Sequence, residues 1–198
     1  EPAHWSRFWQ DQGLKPNEIF YRKGLKRIDQ LDELESSIGS ATKVAGIVVD
    51  TVDEIVHGAV LGKRGIATQI EHWCDSGFVD RLFALLLAKG FDVYLTADHG
   101  NVEAIGQGRP KQGVAAETRG ERVRTYRNEA IAAESEAACP GSHRINVAGL
   151  PVNYQALFAG GRRAFMLQGE HAVVHGGVSV EELMVPFVRL IYEKKNER

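Results

Sequence analysis

Apolar residues recur along this chain in two rhythms, and the switches between them predict most of its elements. Across residues 16–38 the apolar positions Ile19, Phe20, Leu25, Ile28, Leu31 and Leu34 fall at mixed three- and four-residue spacing, which predicts one or two amphipathic helices broken by Gly39 and Ser40. Val44–Val49 is then an unbroken apolar run rich in β-branched residues, the pattern of a strand buried on both faces of a parallel sheet. Ile70, Trp73, Phe78, Leu82, Leu85, Leu86 and Ala88 restore a helical period over residues 67–89, interrupted near Gly77 and stopped at Gly90. Residues 91–96 predict a second strand. Strand, helix and strand form one βαβ unit, whose right-handed crossover makes the strands parallel and sets their C-terminal ends at one sheet edge. In open α/β folds that edge is where ligands bind.

Further on the pattern shortens. Residues 105–120 are polar and Gly-rich, Arg122 to Tyr126 alternates like an exposed strand, residues 128–138 read as helix, and residues 163–168 read as strand. Ser179 and Glu182 have capping-box spacing at the start of a short helix that Pro186 ends. Residues 185–192 predict the last strand, followed by a polar Lys-Lys-Asn-Glu-Arg tail. The expected fold is an α/β sandwich with a mostly parallel central sheet flanked by helices.

Composition narrows the class. With 198 residues, 43% apolar and 25% charged, the chain can bury a sizeable core and fits one domain of ordinary size. A formal net charge of -2 argues against a protein that coats nucleic acid or membrane, while leaving local basic patches open. Cys74 and Cys139 have no CxxC spacing, the apolar stretch of residues 82–88 is too short to span a bilayer, and no leader pattern opens the chain. The expectation is a cytoplasmic, reduced protein with no membrane partner.

Carboxylate and imidazole groups supply the candidate chemistry. Asp53-x-x-x-His57 follows the first strand, and one helical turn would aim both side chains at one ion. The same spacing also describes an ordinary helix ion pair. Asp98-His99 follows the second strand, with Gly100 permitting a tight bend, where a solvated turn is the plainer alternative. His175, followed by Gly176 and Gly177, offers a further imidazole, and His171 competes for that role. Such mixed oxygen and nitrogen donors suit borderline divalent ions, and donors from three segments would make most of a two-metal site. Arg119, Arg122, Arg124 and Arg127 crowd a short stretch, and arginine forks match phosphate. A charged, solvated strand edge is the stronger reading of them. His4, His72 and His143 read as surface or capping residues, Trp73 and Phe78 as core, and Glu103 as a brace for the bend after Asn101 or for a metal ligand.

The order of these segments resembles the alkaline phosphatase superfamily. More closely, residues 52–58, 95–100 and above all 175–186 (His-Gly-Gly-Val-Ser-Val-Glu-Glu-Leu-Met-Val-Pro) resemble a PglZ domain. The resemblance implies an alkaline-phosphatase-like fold, with residues 1–43 a helical upstream segment and residues 44–198 the C-terminal portion of the domain. It implies that Asp53, His57 and His175 bind one divalent ion and Asp98 and His99 a second, zinc or manganese. It further implies a metal-dependent phosphoester hydrolase, a phosphatase, phosphodiesterase or nuclease. The implied role is phage defence, with a phosphoester or nucleic-acid substrate and defence partners such as a DNA methyltransferase. The family's serine or threonine nucleophile has no match here, since Thr51 follows the wrong strand. The expectation is that it lies upstream of Glu1 and that this chain alone is a poor enzyme. The competing readings are a phosphoglycerate mutase-like phosphotransferase and a non-catalytic scaffold subunit.

Overall fold

A computed structural model describes residues 1–58, 62–110, 114–115, 121–146, 149, 151 and 153–191. Parts of the Gly-rich and arginine readings, among them Arg119, lie outside the described residues, as do Tyr192 and the polar tail. The described residues fall into two compact units, one from Glu1–Gly58, Arg64–Val93 and Leu190–Arg198, the other from Ala59–Lys63 and Tyr94–Arg189.

In the first unit, α1 (Pro2–Asp11) and a 3-10 turn at Pro16–Glu18 lead into β1 (Ile19–Leu25), then α2 (Gln30–Ser37) and β2 (Val44–Val49). The strand β1 corrects the expectation of helix across residues 16–38. Its Ile-Phe-Tyr start favours extended backbone, and Gly24, at φ +83°, and the turn before Gln30 restart the chain as helix only over the second half. The strands β1 and β2 pair in parallel, Ile19 opposite Val44 through Arg22 opposite Ile47. The strand β2 is half-buried throughout rather than sealed on both faces, because its one strand neighbour among the described residues is β1.

Three helices follow: α3 (Thr51–Gly58), α4 (Gly62–Asp75) and α5 (Phe78–Ala88). The break between α4 and α5 falls where expected, at Gly77, whose φ of +79° is costly for any residue with a Cβ. The core of this unit gathers Leu25, Leu31, Leu34, Ile38, Phe78, Leu82, Leu86 and Val93, with Trp73 packed against it. Removing this much apolar surface from water is the main force holding α2 and α5 to β1.

The remaining elements are β3 (Val93–Thr96), β4 (Val102–Gly106), β5 (Val114–Ala115), β6 (Val123–Tyr126), α6 (Glu129–Ala138), β7 (Ser142–Ile145), β8 (Gln155–Ala159), β9 (Arg163–Ala164), β10 (His171–Val174), α7 (Val180–Leu183) and β11 (Phe187–Leu190). Asn128 caps α6, its side-chain oxygen accepting from the N–H groups of Ala130 (2.9 Å) and Ile131 (3.2 Å).

The expected single, mostly parallel sheet is not found. The described strands form four small sheets: β1-β2, β10-β4-β9, β11-β3 and β5-β6-β8-β7. The last is antiparallel throughout, and β10 runs antiparallel to β4. A parallel neighbour needs a crossover of a dozen or more residues, whereas β5 and β6, and likewise β7 and β8, are joined by fewer than that, which suits their antiparallel pairing. The strand β3 pairs with β11, not with β2, so strand, helix and strand occur in the expected order without the expected β2–β3 ladder.

Candidate functional site

In the first unit, β2 runs directly into α3, which carries Asp53 in its first turn and His57 in its last. That placement suits the helix dipole at both ends. Val56, buried at 6% exposure, anchors the helix and leaves the polar pair on another face. The Oδ1 of Asp53 and the Nε2 of His57 are 3.2 Å apart. This matches a hydrogen-bonded helix pair, and it is also close to the edge of about 3.4 Å that a tetrahedral ion with bonds of about 2.1 Å sets between two ligand atoms. Glu54, in the same turn, is engaged elsewhere by Lys26. Thr51, at the start of α3, has a buried hydroxyl with no hydrogen-bond partner among the described residues.

In the second unit the candidate residues come together through sheet register. The turn at residues 97–101 leads from β3 into β4, and the antiparallel pairing of β10 with β4 ends with Val174 opposite Val102. One step beyond that pair on each strand bring the chain to His175 and to Asn101, two residues from His99. The rings of His99 and His175 stack with centroids 4.0 Å apart and planes at 11°. His171 begins β10 at its far end, exposed and opposite Ile105, whereas His175 is the one stacked on His99. Asp98 is almost fully exposed, and its Oδ1 accepts from the His99 N–H at 3.1 Å while lying 3.8 Å from His99 Nε2.

Gly100 serves a different purpose from the expected bend. Its φ is not positive, but a Cβ there would lie 1.9 Å from the carbonyl oxygen of Glu181. The Gly100 N–H donates to the Glu182 carbonyl at 2.9 Å, which fastens the Asp98-His99 turn to α7. Gly176 has φ +93° and makes the turn after His175, whereas Gly177 is needed for space, since its Cβ would lie 2.6 Å from Glu182 Oε2.

Behind these loops lies a group that sequence reasoning placed wrongly. Arg122 does not flank an exposed strand: it is 1% exposed and forms a two-pronged ion pair with Glu182, Nε to Oε1 and Nη2 to Oε2, each at 3.0 Å. The strand β6 is interior to its sheet, between β5 and β8, so the solvated-edge reading is overturned. Arg124 is largely covered and sits 3.6 Å from Glu121, and Arg127 lies over the Tyr154 ring. The capping box at Ser179 is present as expected, and it was the single local signal pointing at Glu182. Burial pushes the Glu182 carboxyl up. Hydrogen bonds from Arg122, Ser179 and the Gly177 N–H, with the Arg122 charge, outweigh that and hold it below the usual carboxylate range.

His4, His72 and His143 are exposed, Phe78 is core, and Glu103 is exposed on β4 opposite Val173. Cys74 is exposed and free, while burial pushes the Cys139 thiol up and makes it a poor nucleophile. Among the described residues no helix is long and apolar enough to cross a membrane.

The comparison with curated proteins gives no match. A family model described as the BREX system PglZ alkaline phosphatase-like domain matches residues 1–190.

Proposed function

The chain belongs to the PglZ alkaline phosphatase-like family, and from that premise we propose that it acts in metal-dependent phosphoester hydrolysis with a role in phage defence. Asp53, His57, Asp98, His99 and His175 are the proposed metal ligands, for zinc or manganese. Residues 1–43 are read as an upstream segment of the same domain as residues 44–198. Defence-system proteins, a DNA methyltransferase among them, are the proposed partners, with a phosphoester or nucleic acid as substrate.

One observation carries the reading: two imidazoles from distant segments are stacked at 4.0 Å, in a family whose members are alkaline phosphatase-like. The donor chemistry fits a borderline divalent ion, since Asp53 with His57 and Asp98 with His99 each offer one carboxylate and one imidazole. Bound divalent ions would neutralise charge on phosphoryl oxygens and activate a hydroxyl for attack on phosphorus. The chain's own residues hold the donors at fixed spacing: α3 sets Asp53 against His57, and the Asp98 carboxylate fixes its turn through the His99 N–H. No residue of the chain is nominated as nucleophile.

The test is metal analysis of the purified full-length protein after dialysis against zinc or manganese, followed by its turnover of p-nitrophenyl phosphate and the bis ester. About two ions per chain are expected. Asp98→Ala should reduce both bound metal and turnover. Because Asp98 is exposed, the substitution leaves folding alone. An unchanged metal content and unchanged turnover in that variant would sink the reading.

A further inference from the structure

We propose that the buried Arg122–Glu182 ion pair is a positioning device, which holds the His175 loop and the Asp98-His99 turn in the one arrangement that stacks their imidazoles.

Three observations converge on it. First, both side chains of the pair are 1% exposed. Taking two charges out of water is so costly that a well-packed apolar pair would do as well for stability, so a buried pair is poorly explained by stability alone. Second, the carboxylate is fully occupied by groups of the ligand-bearing loop. Oε1 accepts from the Gly177 N–H at 2.8 Å as well as from Arg122, and Oε2 accepts from the Ser179 N–H at 3.2 Å. Through its backbone the same residue accepts from the Gly100 N–H. Glu182 therefore fastens both sides of the imidazole stack, by its side chain two residues beyond His175 and by its carbonyl one residue beyond His99. Third, Gly100 and Gly177 are both required for close approach to this segment, with the hypothetical Cβ at Gly177 also 2.8 Å from Arg122 Nε. Arg122 extends the brace by donating from Nη1 to the Arg163 carbonyl at the start of β9. An apolar pair could fill the space, but it could not accept the Gly177 and Ser179 N–H groups, and a buried N–H without a partner is costly.

The consequence for metal binding rests on reading His99 and His175 as ligands. The positioning itself does not, so it is tested on metal-free protein. The variants are Glu182→Gln and the double variant Arg122→Met with Glu182→Leu, and the readouts are the nuclear Overhauser contact between the two imidazole rings and the exchange of the Gly100, Gly177 and Ser179 amides. In Glu182→Gln, an amide donor replaces one accepting oxygen and faces the Ser179 N–H or Arg122. Both variants should lose the ring–ring contact, and the amide left without its acceptor, Ser179 in Glu182→Gln and Gly177 in the double variant, should exchange about tenfold faster, the size expected for one lost hydrogen bond. The double variant should recover melting temperature relative to Glu182→Gln without recovering the ring contact. A pair that served stability alone would regain both. If neither variant folds, Gly177→Ala, which keeps both charges, should displace the loop and abolish the ring contact. A folded double variant, or in its place Gly177→Ala, that retains the ring contact and the amide protection overturns the proposal. Zinc titration of the unmodified protein is run alongside. Failure to bind zinc with loss of ring contact in the variants defeats the ligand reading alone, whereas zinc binding with ring contact preserved in them defeats the positioning.

Discussion

The Asp53–His57 pair and the His99–His175 pair are built in opposite ways. The first is local: one turn of α3 spaces the two groups, both touch solvent, and the helix alone accounts for the 3.2 Å between them. The second joins segments far apart in the chain, includes an imidazole only 5% exposed, and depends on sheet register, two sterically required glycines and a buried ion pair. A short-range pair is robust because its geometry is a property of the helix. A long-range pair is only as well placed as the packing behind it.

The comparison breaks most sharply at Glu182. Glu182→Ala leaves Arg122 as an uncompensated buried charge and should cost about 3–5 kcal/mol. Urea denaturation checks the cost, and the helical signal of α3 should be unaffected in the folded variant. Acid should act on the same residue more gently, because the protonated carboxyl still fills its place. With a folded-state pKa below the ordinary value of 4.5, Glu182 contributes stability that is complete above that value and is lost as pH falls through the depressed one. Melting temperatures recorded downward from pH 6 should show this extra loss in the parent protein and not in a Glu182→Gln variant that folds. Gly100→Ala should cost about 1–3 kcal/mol through overpacking against the Glu181 carbonyl, read as a lowered urea midpoint. At the small end, Asp53→Ala and Asp98→Ala remove exposed carboxylates and should shift stability by no more than about 0.5 kcal/mol. Their effect should appear instead in zinc titrations, and a large stability loss in either would mean that the residue is structural.

What could be read in advance follows the same division between local and distant. The strand β2, the break at Gly77, the helix after Asn128 and the capping box at Ser179 each depend on neighbours within a few residues, and each is found in its expected place. The strand β1 escapes the pattern because Leu25, Ile28, Leu31 and Leu34 keep a helical period that starts on the last residue of the strand, past Gly24. Arg122 was misread because polar and apolar alternation describes a strand edge equally well whether or not a partner waits sixty residues on, as Glu182 does. Sheet arrangement was the least legible part, since runs of four or five apolar residues do not specify their neighbours. The candidate donors themselves are legible as motifs, while the different placing of His175, stacked on His99, and His171, at the far end of β10, depends on the β10–β4 register.

The sixty-residue span between Arg122 and Glu182 also sets an order of assembly. During synthesis α3 emerges before either segment of the stack and can close its pair as soon as one helical turn exists. A nascent chain that has reached residue 178 already carries both imidazoles of the stack, yet it lacks the carboxylate that fixes them. Pairings so distant in sequence form slowly, because loop closure precedes any gain from contact. The stack therefore becomes native only once α7 has been made, and termination just before α7 would leave a product that carries both imidazoles without the brace that stacks them.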